Sequence, residues 1–269
     1  MTNNPQFQRP TFKIRGRKSP LALTFGILVI IGVLFTALSG FYADWLWFKS
    51  VDFTSTWSTI LGTKIFLFVV TGLLTASIVL ANVWIAYKRR PLYVSMTMES
   101  DNLERYRSQV EPIRRSLFIG GFLALFYFAG TSGSTLWSSW LLFRNSTEFG
   151  VKDPQFNMDI SFFAFRLPFW QTMIGWGIST LVLAIIASAV VHYLYGGIRL
   201  QVQEDRTTVA ARLQLSVLLG GVVLLKAVAY WFDRYALALK ESKIITGLTY
   251  TDVNAVLPAK AILSGIALV

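Results

Sequence analysis

Lys64 and Lys226 are charged residues inside long apolar stretches of the chain. A charge in the hydrocarbon region of a bilayer costs at least about 2.5 kcal/mol, so each lysine should either extend to the nearer membrane surface or pair with a carboxylate. Asp44 and Asp233 lie at the outer ends of such stretches and are available as partners. One hypothesis is therefore that Lys64 and Lys226 form a binding site for an anion or a lipid headgroup, which Asp44 and Asp233 orient.

The spacing of these residues sets their expected depth. Lys226 precedes Asp233 by seven residues, which places both on one face of a helix and about 10 Å apart along its axis. Lys64 lies seven residues from the outer end of its own stretch, so the two lysines should lie at similar depths in the outer half of the membrane. This depth fits helix packing or an outer-leaflet anion site better than a transport path at the midplane.

The sequence offers little other chemistry. The chain has no cysteine and one histidine, which excludes thiolate sites and multi-histidine metal sites. Sequence motifs for a serine nucleophile, a P-loop, a zinc protease or a dinucleotide site are absent, so we predict no cofactor. His192, near the end of an apolar stretch, is interpreted as a packing residue, with a proton relay as the alternative.

The composition indicates a membrane protein. Hydrophobic residues make up 54% of the chain and charged residues 14%, and the mean hydropathy is +0.53, a balance that soluble domains do not normally reach. The net charge of +11 reflects topology, since 15 of the 25 lysines and arginines fall in the segments assigned to the cytoplasm. By the positive-inside rule the N-terminus is cytoplasmic, and no nucleic acid is expected as a partner.

The apolar stretches predict an all-α fold, a polytopic transmembrane helical bundle with interfacial amphipathic helices. A basic cytoplasmic arm occupies residues 1–20. The predicted spans are residues 21–43, 57–87, 117–141, 169–195, 213–233 and 258–269. The last span would be about 18 Å long as a helix, less than the ~30 Å core requires, and we expect the intact protein to be longer.

Residues 131–140 make the second half of the third span unusually polar. Their glycine and hydroxyl side chains favour close packing between helices, so this half is expected to face other helices.

Two helices are predicted to lie at the membrane surface. The first covers residues 101–113, begins with Asp101 as its cap and enters the third span through Pro112 in a first turn. Its apolar face is formed by Leu103, Tyr106, Val110 and Ile113.

The second surface helix is predicted to begin at Asp153, with Pro154 in its first turn. Phe156, Ile160 and Phe163 recur at helical spacing and would rest on the outer leaflet. This helix is expected to end at Pro168.

Five motifs carry a resemblance to a known family. They occur in the order YADWLWF, FGVKDPQFNMDISFFAFRLPFW, HYLYGGIRL, LLKAVAYWFDRY and YTDVNAVLPAK, spread over residues 42–260. The chain resembles the N-terminal membrane region of a family of large uncharacterised bacterial multi-pass membrane proteins. The resemblance implies a bacterial plasma-membrane protein with about seven spans and a large extracytoplasmic domain after them. It implies no activity for any residue.

Three functional interpretations follow. The chain could be a scaffold or cell-envelope accessory protein that anchors a large outer domain, in contact with the lipid bilayer and with a membrane-protein partner or a second copy. It could be a transporter or channel subunit with an outer-half anion or lipid site. It could be an intramembrane enzyme acting on lipid-linked substrates, with Asp153 and Asp159 as its carboxylates. The first interpretation is favoured, and enzymatic activity is not expected.

Overall fold

The computed structural model describes residues 20–91, 98–199, 206–241 and 247–268. Within these ranges the chain is helical, and its strand-like pairing is limited to isolated β-bridges, which confirms the all-α fold. The α-helices of the described ranges are α1 (Pro20–Ser50), α2 (Thr54–Lys88), α3 (Met98–Ser134), α4 (Trp137–Arg144), α5 (Leu167–Leu194), α6 (Val209–Ala236) and α7 (Leu257–Ile266).

In the described part of the chain, five helical segments are long and apolar enough to cross a membrane. A helix of 27 residues, the shortest of them, is about 40 Å long and exceeds the ~30 Å hydrocarbon core. These segments are Thr24–Ser50, Thr54–Lys88, Leu103–Ser134, Phe162–Leu194 and Val209–Leu239.

The chain divides into two compact units, Met1–Thr59 and Ile60–Val269. In the first unit, a tight turn follows α1: the Phe53 N–H donates to the Phe48 carbonyl at 2.9 Å, and Asp52 adopts a left-handed conformation with φ of 59°. The turn brings the Phe41 ring to 5.0 Å from the Trp57 ring. This contact fixes α1 against the first turn of α2.

The core of the second unit lies where α2, α5 and α6 meet. Val79, Ala184 and Leu218 form its buried cluster, and Leu125 of α3 packs against it. Each helix contributes small or branched side chains, which allow close approach. The four helices therefore share one apolar core.

Glycines set the distance between α2 and α3. A Cβ on Gly72 would lie 2.6 Å from the Phe126 carbonyl oxygen, and one on Gly133 would overlap with the Thr71 side chain. The Thr71 hydroxyl donates to the Ala129 carbonyl at 3.1 Å. The Gly133 contact agrees with the prediction that the polar half of the third predicted span faces another helix, whereas Ser132, Thr135 and Ser138 in the same half are exposed. That span is not one helix, however, because turn residues separate α3 from α4.

The first predicted surface helix is wrong as a separate element. Its residues belong to α3, which continues through Pro112. Proline removes a single backbone donor and costs about 3 kcal/mol in a helix interior, and the side-chain contacts of Glu111 described below help to offset this cost. Asp101 is not the cap, because the helix begins at Met98.

The second predicted surface helix is also wrong. Asp153 does not start a helix; its Oδ1 accepts from the Gln155 and Phe156 backbone N–H groups at 3.0 and 2.7 Å, which closes a turn. Asn157 then adopts a left-handed conformation with φ of 54°, and a bridge pairs residues 152 and 159. The side chain of Asp153 thus stabilises a turn instead of a first helical turn.

A helix begins at Ile160 and runs into α5 without ending at Pro168. It passes through a π-helical turn, Phe162–Arg166, where the Leu167 N–H donates to the Phe162 carbonyl five residues earlier. Pro168 has no N–H to donate, so the helix widens before the proline and continues after it. Phe163 is buried in this turn, not resting on a membrane surface.

The same local structure recurs before α7. The π-helical turn Asp252–Val256 precedes Leu257 and Pro258, and the Leu257 N–H donates to the Asp252 carbonyl. We call these two segments the π-turn entrances.

Candidate functional site

The two lysines inside the apolar stretches have separate surroundings. The Lys64 ammonium lies 5.5 Å from the centroid of the Trp137 ring at the start of α4, a cation–π contact. Lys226 is exposed on α6. Among the described residues neither lysine forms an ion pair.

Asp233 has a different partner from the one its spacing suggested. The Lys260 ammonium on α7 donates to Asp233 Oδ2 at 3.2 Å, which joins α6 to α7. Asp44 lies exposed on α1, in the first compact unit, whereas the two lysines and Asp233 belong to the second. The anion site built from these four residues stays a prediction. One of its members, Asp233, already forms an ion pair with Lys260.

A polar cluster surrounds Glu111 where α2, α3 and the end of α5 meet. Glu111 Oε1 accepts from the Tyr87 hydroxyl at 2.8 Å and from Arg114 Nη1 at 2.9 Å, and Oε2 accepts from the Tyr195 hydroxyl at 2.9 Å. The Arg90 guanidinium lies 4.3 Å from the Tyr87 ring centroid and 5.3 Å from that of Tyr195. We call these five residues the Glu111 cluster; they tie three helices together.

Further arginines make this region strongly basic. Arg107 donates from Nε to the Leu194 carbonyl at 2.5 Å, and its buried Nη2 has no hydrogen-bond partner in the described part of the chain. Arg115 is exposed and forms no ion pair there. Arg90 and Arg114 are the arginines that pair with the Glu111 carboxylate, at 3.9 and 2.9 Å.

A cavity of about 490 Å³ opens beside the Glu111 cluster. Its walls come from α2, α3 and α5 and are almost entirely hydrocarbon, with Tyr87, Arg114, Arg115 and Tyr195 as its polar rim. The apolar lining residues are Leu80, Val83, Trp84, Val110, Leu117, Phe118, Ile119, Val191 and Leu194. An apolar chamber with a cationic rim can hold an amphiphile whose polar end is anionic.

A second polar group lies buried between α2, α5 and α6. His192 Nε2 lies 3.0 Å from Gln214 Oε1, and Gln214 Nε2 lies 2.9 Å from the Asn82 carbonyl and 3.4 Å from Ser188 Oγ. His192 and Ser188 are 1% and 0% exposed. This arrangement is consistent with a packing role for His192.

The network assigns the His192 tautomer. The Asn82 carbonyl can only accept, so the Gln214 amide nitrogen must face it and its oxygen must face His192. His192 therefore carries its proton on Nε2. Its Nδ1 has no partner among the described residues and faces Gly197, where a Cβ would come within 2.9 Å of it.

Asp252 holds the entrance to α7. It is 2% exposed and accepts from the Lys240 ammonium at 2.9 Å and from the Thr249 hydroxyl and N–H at 2.7 and 3.0 Å. The Lys240 contact, followed by those of Thr249, lowers the pKa of Asp252 to about 2. The carboxylate is therefore a structural cap that is ionised at neutral pH.

The two carboxylates proposed for lipid-linked chemistry, Asp153 and Asp159, are engaged by backbone N–H groups of their own loop. Asp159 accepts from the backbone N–H groups of Phe149, Gly150 and Ser161. Hydrogen bonds from the Ser161 side chain and backbone, then from Phe149 and Gly150, lower the pKa of Asp159 to about 2. An acid so firmly deprotonated is a poor proton donor, and its lone pairs are already engaged. The described residues contain no group of three metal-ligating side chains.

A family model described as "Uncharacterised protein family (UPF0182)" matches residues 21–269. The chain belongs to the UPF0182 family. This confirms the resemblance to an uncharacterised family, and it brings no activity with it.

Similar UPF0182 proteins occur in several actinobacterial species. The protein of Streptomyces coelicolor is 46% identical, and the match covers 97% of this chain and 26% of that protein. The protein of Nocardioides sp. is 42% identical, and the match covers 98% of this chain and 26% of that protein. The UPF0182 protein of Thermobifida fusca is 44% identical over 94% of the chain and 25% of its own length. The chain thus spans about a quarter of the length of these curated relatives. No solved structure matches it.

Sequence reasoning missed the polar groups that this UPF0182 chain brings together. Asn82 and Gln214 are polar residues near the ends of two apolar stretches, and polar side chains at matching depths are a signal of helix contacts. Glu111 and Arg114, spaced by three, mark one polar helix face. Asp252 ends a Thr-x-x-Asp pattern, a capping box before an apolar stretch.

Proposed function

We propose that this UPF0182 chain is a membrane-embedded scaffold that anchors the rest of a larger protein in the bacterial plasma membrane. The observation that carries the proposal is the set of five helices that are long and apolar enough to span a bilayer. The curated relatives are about four times as long as the stretch matched here, so a helical quarter of this kind is suited to hold the remainder at the membrane.

Exposed apolar side chains on the helices support a lipid environment. On α5 and α6, Ile186, Val190, Val217 and Leu224 are 56%, 60%, 67% and 52% exposed. An apolar patch of this extent is unfavourable in water, whereas hydrocarbon accepts it without cost. The polar contacts, by comparison, lie between helices or at helix ends.

Membrane retention of a reporter tests the anchor. A soluble fluorescent protein fused after Val269 should remain in the membrane pellet after an alkaline carbonate wash, because the apolar helices hold it there. The same reporter alone should be released. Release of the fusion by carbonate would contradict the proposal.

A matched pair of variants makes this test specific to the apolar helix surface. Lysine at Val190, Val217 and Leu224 should reduce the retained fraction severalfold, since each lysine costs about 2.5 to 3.5 kcal/mol at a helix centre. Lysine at the exposed loop residues Glu148 and Glu241 should leave retention unchanged. Equal retention of both variants would show that these helix surfaces do not contact lipid.

A further inference from the structure

We propose that the cavity beside the Glu111 cluster binds an anionic phospholipid, with an acyl chain in the cavity and the phosphate on the arginines of its rim. The site goes beyond the anchoring role, because a protein can be anchored without holding any particular lipid.

The cavity has the size and surface for an acyl chain. Its volume of about 490 Å³ falls in the range of small-ligand sites. The cavity walls come from residues such as Leu80, Val83 and Val191, with Trp84 beside them. A surface so poor in hydrogen-bonding groups favours a hydrocarbon chain over a sugar, a nucleotide or a peptide backbone.

The rim has the charge for a phosphate. Arg114 and Arg115 line the cavity. Glu111, the carboxylate beside them, pairs with Arg114 and lies 3.9 Å from the Arg90 guanidinium. Three arginines around one carboxylate leave an excess of about two positive charges, and Arg115 forms no ion pair within the described residues. Guanidinium groups donate in pairs to phosphate oxygens, and the Tyr87 and Tyr195 hydroxyls lie on the same rim.

Apolar walls and a cationic rim together select the occupant. A free anion would satisfy the rim and leave the cavity without a ligand, and a zwitterionic lipid would bring its own cation against the arginines. An anionic phospholipid satisfies both parts, since its headgroup carries net negative charge and its chains are hydrocarbon. Basic pockets between transmembrane helices are known to hold such headgroups.

Thermal unfolding of the delipidated chain in neutral detergent tests the proposal. Phosphatidylglycerol should raise the unfolding midpoint at a lower concentration than phosphatidylcholine with the same acyl chains, and inorganic phosphate should not reproduce the shift. An equal response to the two lipids would overturn the proposal. So would a phosphate response as large as that of phosphatidylglycerol, because the occupant would then be a free anion.

Two variants locate the site. Arg115→Gln should raise the phosphatidylglycerol concentration for half the shift about tenfold, the factor expected for one lost charge-assisted hydrogen bond. Val110→Phe should narrow the cavity and weaken the phosphatidylglycerol response. Arg144→Gln, an exposed arginine at the end of α4, is the matched control and should behave as wild type.

A wild-type response from both Arg115→Gln and Val110→Phe would place the lipid elsewhere and overturn the proposal. If neither variant folds, the preference of the wild type for phosphatidylglycerol over phosphatidylcholine still decides the question.

Discussion

In the buried network of α2, α5 and α6, one side chain can take part in several hydrogen bonds at once. Gln214 accepts from His192 and donates to the Asn82 carbonyl and towards Ser188, so it sets the tautomer of the histidine and joins three helices. A network of this kind is favourable only when its members are satisfied. Loss of the Gln214 amide would remove a hydrogen-bond partner from His192, from the Asn82 carbonyl and from Ser188.

Replacing Gln214 by leucine should therefore destabilise the chain. The His192 Nε2–H would be buried without an acceptor, which costs about 1 to 3 kcal/mol, and the midpoint of thermal unfolding in detergent should fall. Ser216→Ala, an exposed position on the same helix, should change the unfolding free energy by less than about 0.5 kcal/mol. Similar midpoints for the two variants would show that the network contributes little to folding.

At the scale of the elements, α2 and α3 are held at a distance that only glycine allows. Gly133 lies against the Thr71 side chain and Gly72 against the Phe126 backbone. Between these contacts the Thr71 hydroxyl bonds to the Ala129 carbonyl. The packing of α2 against α3 therefore depends on the close approach of the two helix backbones more than on large side chains.

Gly133→Ala should separate α2 from α3, because the added Cβ would overlap with Thr71. Overpacking of this kind costs about 1 to 3 kcal/mol, and thermal unfolding in detergent would measure it. Gly120→Ala on the same helix, where a Cβ meets nothing within 4 Å, should be neutral or stabilise by up to about 1 kcal/mol. Equal stability of the two variants would contradict close packing at Gly133.

The sequence predicts the apolar helices well and the polar contacts poorly. Runs of apolar residues predict helices of membrane length because burial of backbone polar groups in lipid demands helix. Pro112 and Pro168 each predict a helix boundary, because proline lacks the N–H that a helix interior requires, but in the structure the helix continues through both. Spacing along one stretch also paired Lys226 with Asp233, whereas the described partner of Asp233 is Lys260 on another helix, which no local pattern indicates.

At the scale of the whole molecule, the distribution of charge predicts orientation. Most lysines and arginines fall in the N-terminal arm and in the segments that follow α2 and α5. The Glu111 cluster and the cavity lie where α2 and α5 end. In the predicted orientation, the proposed lipid site therefore faces the inner leaflet, where anionic lipids attract basic segments.

Cysteine labelling can test this orientation, because the natural chain contains no cysteine. Glu148→Cys and Glu241→Cys should react with a membrane-impermeant maleimide in intact cells. Arg89→Cys and Arg206→Cys should react only after the membrane is permeabilised. All four positions are exposed, so the side of the membrane decides the outcome, and the reverse pattern would invert the topology.

The two π-turn entrances are built alike. Leu167–Pro168 and Leu257–Pro258 are 90 positions apart, and so are Asp159 and Thr249, whose side chains accept from backbone N–H groups at the start of each entrance. The same spacing relates two further contacts. The Phe143 and Trp170 rings lie 5.9 Å apart, and the residues 90 positions later are the ion pair of Asp233 and Lys260. An aromatic contact at the first entrance therefore corresponds in position to a salt bridge at the second.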